Sequence, residues 1–139
     1  MSWSPRRRAP EADIQRDIVR TLRAVLPKGA IVHHSAHEVR GNSEWARNQQ
    51  AMAAGMGVHR GFSDLIVLSQ GRVLFLEVKA PGGRASVDQQ MFCAAVEAQG
   101  HGYCVVRSSE DALAALREYN FKTRVVGRRA RSCPRDAPA

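Results

Sequence analysis

Ser63-Asp64-Leu65-Ile66-Val67-Leu68-Ser69-Gln70-Gly71-Arg72-Val73-Leu74-Phe75-Leu76-Glu77-Val78-Lys79 is the stretch that decides the fold. It reads as two apolar strands, Ser63–Leu68 and Arg72–Lys79, joined by a turn at Gln70-Gly71. With a two-residue turn there, Asp64 falls opposite Glu77. Directly opposed side chains sit about 4.5–5.5 Å apart at Cβ, and like charges so placed destabilise a sheet. Lys79 shares the face of Glu77, two residues on. The runs around these charges are nearly continuous in apolar residues, which suits strands covered on both faces. Buried charge is costly unless it is paired or bound. A divalent metal ion is the best reason available for two carboxylates and an ammonium in this setting.

Outward from the hairpin, the pattern is helical on both sides. Pro10 to Leu26 carries Ile14, Ile18, Leu22 and Val25 or Leu26 at helical spacing, and Pro27-Lys28-Gly29 ends it. Ala30–Ser35 reads as a short strand, 36–43 as a polar loop, and Glu44–Ala54 as a second helix closed by Gly55, Gly57 and Gly61. After Pro81-Gly82-Gly83, Ser86 and Gln89 form a capping-box pattern that opens a helix to about Ala98, with Met91 or Phe92, Ala95 and Val96 as its apolar stripe. Gly102–Arg107 is a strand, and Ser108 or Ser109 caps a last helix through Glu118. Helices flanking a mixed central β-sheet place the chain in the α/β class.

The chain has 139 residues and a net charge of +8, which is unevenly placed. Arg6, Arg7 and Arg8 stand in residues 1–9, read as a basic disordered N-terminal arm. Residues 122–139, read as a basic disordered tail, hold Lys122, Arg124, Arg128, Arg129, Arg131 and Arg135 against Asp136. Residues 11–121 balance twelve basic against twelve acidic side chains, so the folded part, 10–121, is close to neutral. Basic tails hold a polyanion through counterion release without reading its sequence, and they also simply aid solubility. No apolar run approaches the eighteen residues of a membrane span. Cys93, Cys104 and Cys133 are odd in number and lack CxxC spacing, as expected of reduced thiols in a cytoplasmic protein.

A hard ion such as Mg²⁺ is held by one or two carboxylates together with waters and substrate phosphate oxygens. Asp64 and Glu77 supply the carboxylates, the Val78 carbonyl lies beside them, and Lys79 is placed to orient water or offset charge on a phosphate. A Glu-x-Lys in a strand is by itself more often a solvated face or a cross-strand ion pair. The apolar flanks Val73, Leu74, Phe75, Leu76 and Val78 and the opposed Asp64 favour the chemical reading.

Gly61-Phe62-Ser63-Asp64, the hairpin to Glu77-Val78-Lys79, and Ser86-x-x-Gln89-x-x-Phe92 together resemble the PD-(D/E)xK nuclease superfamily and, more narrowly, its VRR-NUC domains. The resemblance spans about residues 10–118. It implies a restriction-endonuclease-like αβββαβ core and an endonuclease dependent on Mg²⁺, with Mn²⁺ accepted. It implies Asp64 and Glu77 as metal ligands, Lys79 as the catalytic lysine, and Gln89 and Glu11 as further residues of the site. The implied partner is DNA, cut by a homodimer selective for branched structures. Ser63 stands where the family usually has proline. Gln89 is equally the capping-box partner of Ser86, and Glu11 equally a first-turn acid favoured by the helix dipole. A non-catalytic nucleic-acid-binding module and a sequence-specific restriction-type nuclease are the alternative functions.

Other residues carry weaker signals. Arg84, Arg60 and Arg47, with Arg128, Arg129 and Arg131 of the tail, are candidate phosphate contacts, since Arg forms forked bonds to phosphate. Arg40-Gly41-Asn42 and the Gly55–Gly61 loop with His59 are expected to border the site. His33 and His34 point to opposite faces of a strand, so with His37 they make a poor zinc site. Trp45 is expected to cover core rather than stack on a base.

Overall fold

Gln70 and Gly71 both adopt positive φ, 49° and 80°, the conformation of a type I′ turn whose twist matches that of its flanking strands. In the computed structural model, which describes residues 10–35 and 41–124, this turn joins β2 (Leu65–Ser69) to β3 (Arg72–Val78). Their register pairs Leu65 with Leu76 and Ser69 with Arg72, as a two-residue turn demands. β1 (Ile31–His34) lies antiparallel on the outside of β2, and β4 (Gly102–Val106) runs parallel to β3 on the other side. The sheet order is therefore β1-β2-β3-β4, a mixed sheet.

The helices are α1 (Pro10–Val25), α2 (Glu44–Gly55), α3 (Val87–Ala98) and α4 (Ser109–Glu118). Alternation along the strands divides their side chains between two faces. Leu65, Val67, Leu74, Leu76 and Val78 project onto Ile18, Leu22 and Leu26 of the α1 segment and onto Ala112, Ala115 and Leu116 of α4. The opposite face carries Phe75 and Tyr103, packed with Phe62 under Phe92 and Val96 of α3. Of the two candidates for the α3 stripe, Phe92 is buried while Met91 is 65% exposed. Coverage on the α3 side is incomplete: Ile31 and Leu68, on β1 and β2, are partly in solvent because α3 lies over β4 and not over that edge.

The serines read as caps act as caps. Ser86 Oγ accepts from the Gln89 N–H, and Gln89 Oε1 accepts from the Ser86 N–H at 2.9 Å, a complete capping box. Ser108 Oγ accepts from the Asp111 N–H to cap α4, and Ser43, which the sequence reading left in a loop, caps α2 by accepting from the Ala46 N–H. Cys93 and Cys104 are free thiols, and burial pushes the Cys93 thiol up to about 11, assisted by its hydrogen bond to Glu97.

Two expectations change. Trp45 does not cover core: it is 67% exposed, because α2 stands off the sheet and buries only Ala46. Lys122 to Arg124, assigned by charge to the tail, continue the folded body. The Arg124 N–H donates to the Val25 carbonyl at 2.7 Å, and its guanidinium donates to the carbonyls of Ala24 and Arg23, so it caps the end of α1. Residues 1–9, 36–40 and 125–139, including His37, Arg40, Arg128, Arg129 and Arg131, lie outside the described residues. No described helix is long and apolar enough to cross a membrane.

Candidate active site

Four strand ends meet at one edge of the sheet. β1, β3 and β4 finish there and β2 begins there: the Ser35 N–H donates to the Asp64 carbonyl, and the Lys79 N–H to the Val106 carbonyl. The amino end of α3 is drawn to the same edge by Gln89. The carboxyl ends of strands are where open α/β sheets bind ligands.

Asp64 stands one residue before β2, so the ladder ends at Leu65–Leu76 and Asp64 is not held against Glu77 as a ladder pair. Its Oδ2 instead accepts the Val78 N–H at 2.8 Å. A residue's N–H and C=O point to the same side of a strand. The Val78 carbonyl is thus directed to the side of Asp64, as a metal ligand there requires. Glu77 is 2% exposed and Lys79 8% exposed, with the ammonium 3.7 Å from Glu77 Oε1. Gln89, itself buried, donates through Nε2 to the same oxygen at 2.7 Å. Its side chain closes the capping box with one end and holds Glu77 with the other.

The electrostatic problem posed by the sequence is therefore answered partly within the protein. Lys79 and Gln89 partner Glu77, and a backbone amide partners Asp64. An ion pair removed from water recovers its desolvation cost only with such additional hydrogen bonds. Tyr103, missed by the sequence reading, belongs beside this group. It lies on the α3 face of β4, 7% exposed, and its hydroxyl has no hydrogen-bond partner among the described residues. Burial first, then the charge of Glu77, pushes its phenol above the ordinary range.

In front of Lys79 and Gln89 opens a cleft of about 820 Å³. One wall is α2 through Gln50, Ala53 and Ala54; the other is the loop Gly57 to Phe62 and the start of α3. Gly41, Asn42, His59 and Arg60 line it. Gly61 is required at its position: φ is +74°, and a Cβ would strike the Asp88 carbonyl and lie 2.7 Å from the Gln89 nitrogen. Arg84 is exposed in the loop before α3, and the Arg47 guanidinium is spent on the Asn42 carbonyl at 2.5 Å. Glu11 sits in the first turn of α1, in the layer across the sheet from α3. His33 and His34 are exposed on the edge strand, and no cluster of three His, Cys, Asp or Glu side chains occurs among the described residues.

Solved structures share this fold, two of them as follows. One is described as a VRR_NUC domain protein, with a TM-score of 0.60 and 20% identity, covering 78% of this chain and 86% of its own. The fold is that of the VRR-NUC domain. A second, described as a VRR_NUC domain, has a TM-score of 0.53 and 20% identity, covering 81% of this chain and 99% of its own. At this identity the VRR-NUC likeness speaks for the backbone alone. No family model matches the sequence, and no curated protein matches it.

Proposed function

We propose that this chain is a metal-dependent endonuclease that hydrolyses DNA phosphodiester bonds. The observation that carries the reading is the buried Glu77–Lys79 pair, clamped by Gln89 beside the backbone-bound carboxylate of Asp64, with Lys79 and Gln89 lining an open cleft. A purely structural ion pair has no need of a second carboxylate at the same strand end.

The donor set fits a hard divalent ion: two carboxylates on adjacent strands and a backbone carbonyl, all oxygen. Asp64, Glu77 and the Val78 carbonyl would hold Mg²⁺, with Mn²⁺ as a substitute. When bound, such an ion lowers the pKa of a water and offsets the charge of the phosphate. Lys79 does the remaining electrostatic work. Its ammonium, fixed by Glu77 and facing the cleft, orients the attacking water and stabilises charge that grows on the phosphate oxygens. Gln89 positions Glu77, and the Val78 amide positions Asp64. Glu11 is a further candidate on the strength of the sequence resemblance, Arg84 on its place in the glycine-rich loop after Lys79, and Arg60 on its place in the cleft. The finer reading is a homodimer selective for branched DNA.

Purified protein is incubated with Mg²⁺ or Mn²⁺ and labelled linear, flapped and four-way DNA. Cleavage is expected, most on branched substrates, and is lost in Glu77→Gln and Lys79→Ala while DNA binding persists. Cleavage unchanged in either variant refutes the assignment.

A further inference from the structure

The cleft in front of Lys79 is lined by residues that suit a nucleotide. Its volume of about 820 Å³ lies within the range of pockets that enclose ligands the size of a nucleotide or two, roughly 300–1,000 Å³. Its lining is sorted by chemistry. Lys79 and Arg60 supply positive charge for phosphate. Asn42 and Gln50 bring amides, the group that reads base edges. His59 and Phe62 bring aromatic rings, and these are braced from behind: Phe92 lies 5.5 Å from His59 and 4.7 Å from Phe62, centroid to centroid. His59 Nδ1 is 2.8 Å from the Arg60 carbonyl. That oxygen can only accept, so Nδ1 carries the proton and the ring is held in place. The close backbone contact at Gly61 locks this loop onto α3, so the aromatic wall is built rather than loose.

We propose that this cleft is a base pocket, seating one or two unpaired nucleotides of the strand that passes Lys79. The inference rests on the nuclease reading and narrows its substrate to DNA that is locally single-stranded, as at flaps, gaps and frayed ends. Bases stack against His59 with Phe62 and Phe92 behind it, their edges meet Asn42 and Gln50, and the adjoining phosphates face Lys79 and Arg60. Asp88, also in the lining, turns phosphate away from the α3 side and accepts from exocyclic amino groups instead.

The test measures binding by the full chain in EDTA at 0.15 M salt, so that nothing is cut. The probes are a single strand, a gapped duplex and a blunt duplex of one sequence, each carrying 2-aminopurine. The single strand and the gapped duplex are expected to bind more tightly than the blunt duplex, with 2-aminopurine fluorescence quenched by stacking. His59→Ala should weaken single-strand binding by about tenfold or more, leave the blunt duplex unaffected and leave the salt slope unchanged. His59→Phe should restore the quenching. Circular dichroism on each variant checks folding, and His59 is exposed. Equal binding of blunt duplex and single strand, or equal losses on both in His59→Ala, overturns the proposal. A protein that stacks bases but never cleaves would sink the nuclease reading and spare the pocket. One that cleaves without quenching would do the reverse.

Discussion

β3 presents two faces that differ in kind over the same seven residues. Toward α1 and α4 it shows Leu74, Leu76 and Val78, each at most 1% exposed in a dry apolar layer. Toward α3 it starts in the same way, with Phe75 in an aromatic cluster, and ends in Glu77, with Lys79 one residue past the strand. Both faces are buried, yet one is filled by dispersion and hydrophobic contacts and the other by charge held in hydrogen bonds. The contrast teaches that burial here has two purposes. The apolar face stabilises the sheet, and the charged end spends some of that stability on fixed electrostatics, which a solvated Glu-x-Lys would not provide.

Substitutions on the two faces should separate these purposes. The largest effect is expected on the charged side: Lys79→Ala should lower the metal-dependent cleavage rate by at least about 10²–10³-fold. Leu76→Ala, on the opposite face, should cost about 2–5 kcal/mol in denaturant unfolding and leave cleavage per folded molecule unchanged. If Leu76→Ala abolishes cleavage in the folded fraction, or Lys79→Ala leaves the rate intact, the division between the faces fails.

Gln89→Ala should show both purposes at once. Loss of the capping box costs about 1 kcal/mol, and release of Glu77 lowers the cleavage rate by less than Lys79→Ala does. Gln89→Glu keeps the cap but sets a second carboxylate against Glu77. Its stability should therefore not exceed that of Gln89→Ala despite the restored cap, because two buried carboxylates repel, and its activity should stay low, as melting curves and rate assays on the two variants would show.

The smallest effects concern Tyr103. Removing its unpartnered hydroxyl in Tyr103→Phe should be neutral or stabilising by up to about 1 kcal/mol, because no hydrogen bond is lost and a buried polar group is removed. A loss of 2 kcal/mol or more would show that the hydroxyl has an acceptor. Burial also raises the phenol of Tyr119 above the ordinary value of 10.0, with Cys104 contributing next. The folded state therefore keeps protons that the unfolded chain releases. The stability both tyrosines contribute is fully present below pH 10 and is lost as pH rises through their folded values. Phenolate absorbance should consequently appear late and together with unfolding, not ahead of it.

Much of this was legible in one dimension because the relevant signals are local. The Gln70-Gly71 turn set the strand register that Leu65 and Leu76 display. Ser86 and Gln89 announced the start of α3 three residues apart, and Gly41, Asn42 and the Gly55–Gly61 loop were placed beside the site by their nearness to Asp64. Trp45 was misread because an aromatic residue near a helix start suggests burial, whereas whether α2 touches the sheet depends on loops at both of its ends. Tyr103 carried no signal, since an aromatic residue in a strand reads as core.

By itself, then, the sequence determined the order of elements, the hairpin, the caps and the gathering of Asp64, Glu77 and Lys79 on one hairpin. These follow from propensity, periodicity and turn chemistry acting over a few residues. Only the tertiary structure decided how those charges are satisfied. Gln89 reaches Glu77 across twelve positions of chain, the Asp64 carboxylate leaves the ladder for the Val78 amide, and α2 stands away to open a cleft. Hydrogen bonds between distant segments depend on how layers pack, and no local pattern encodes that distance.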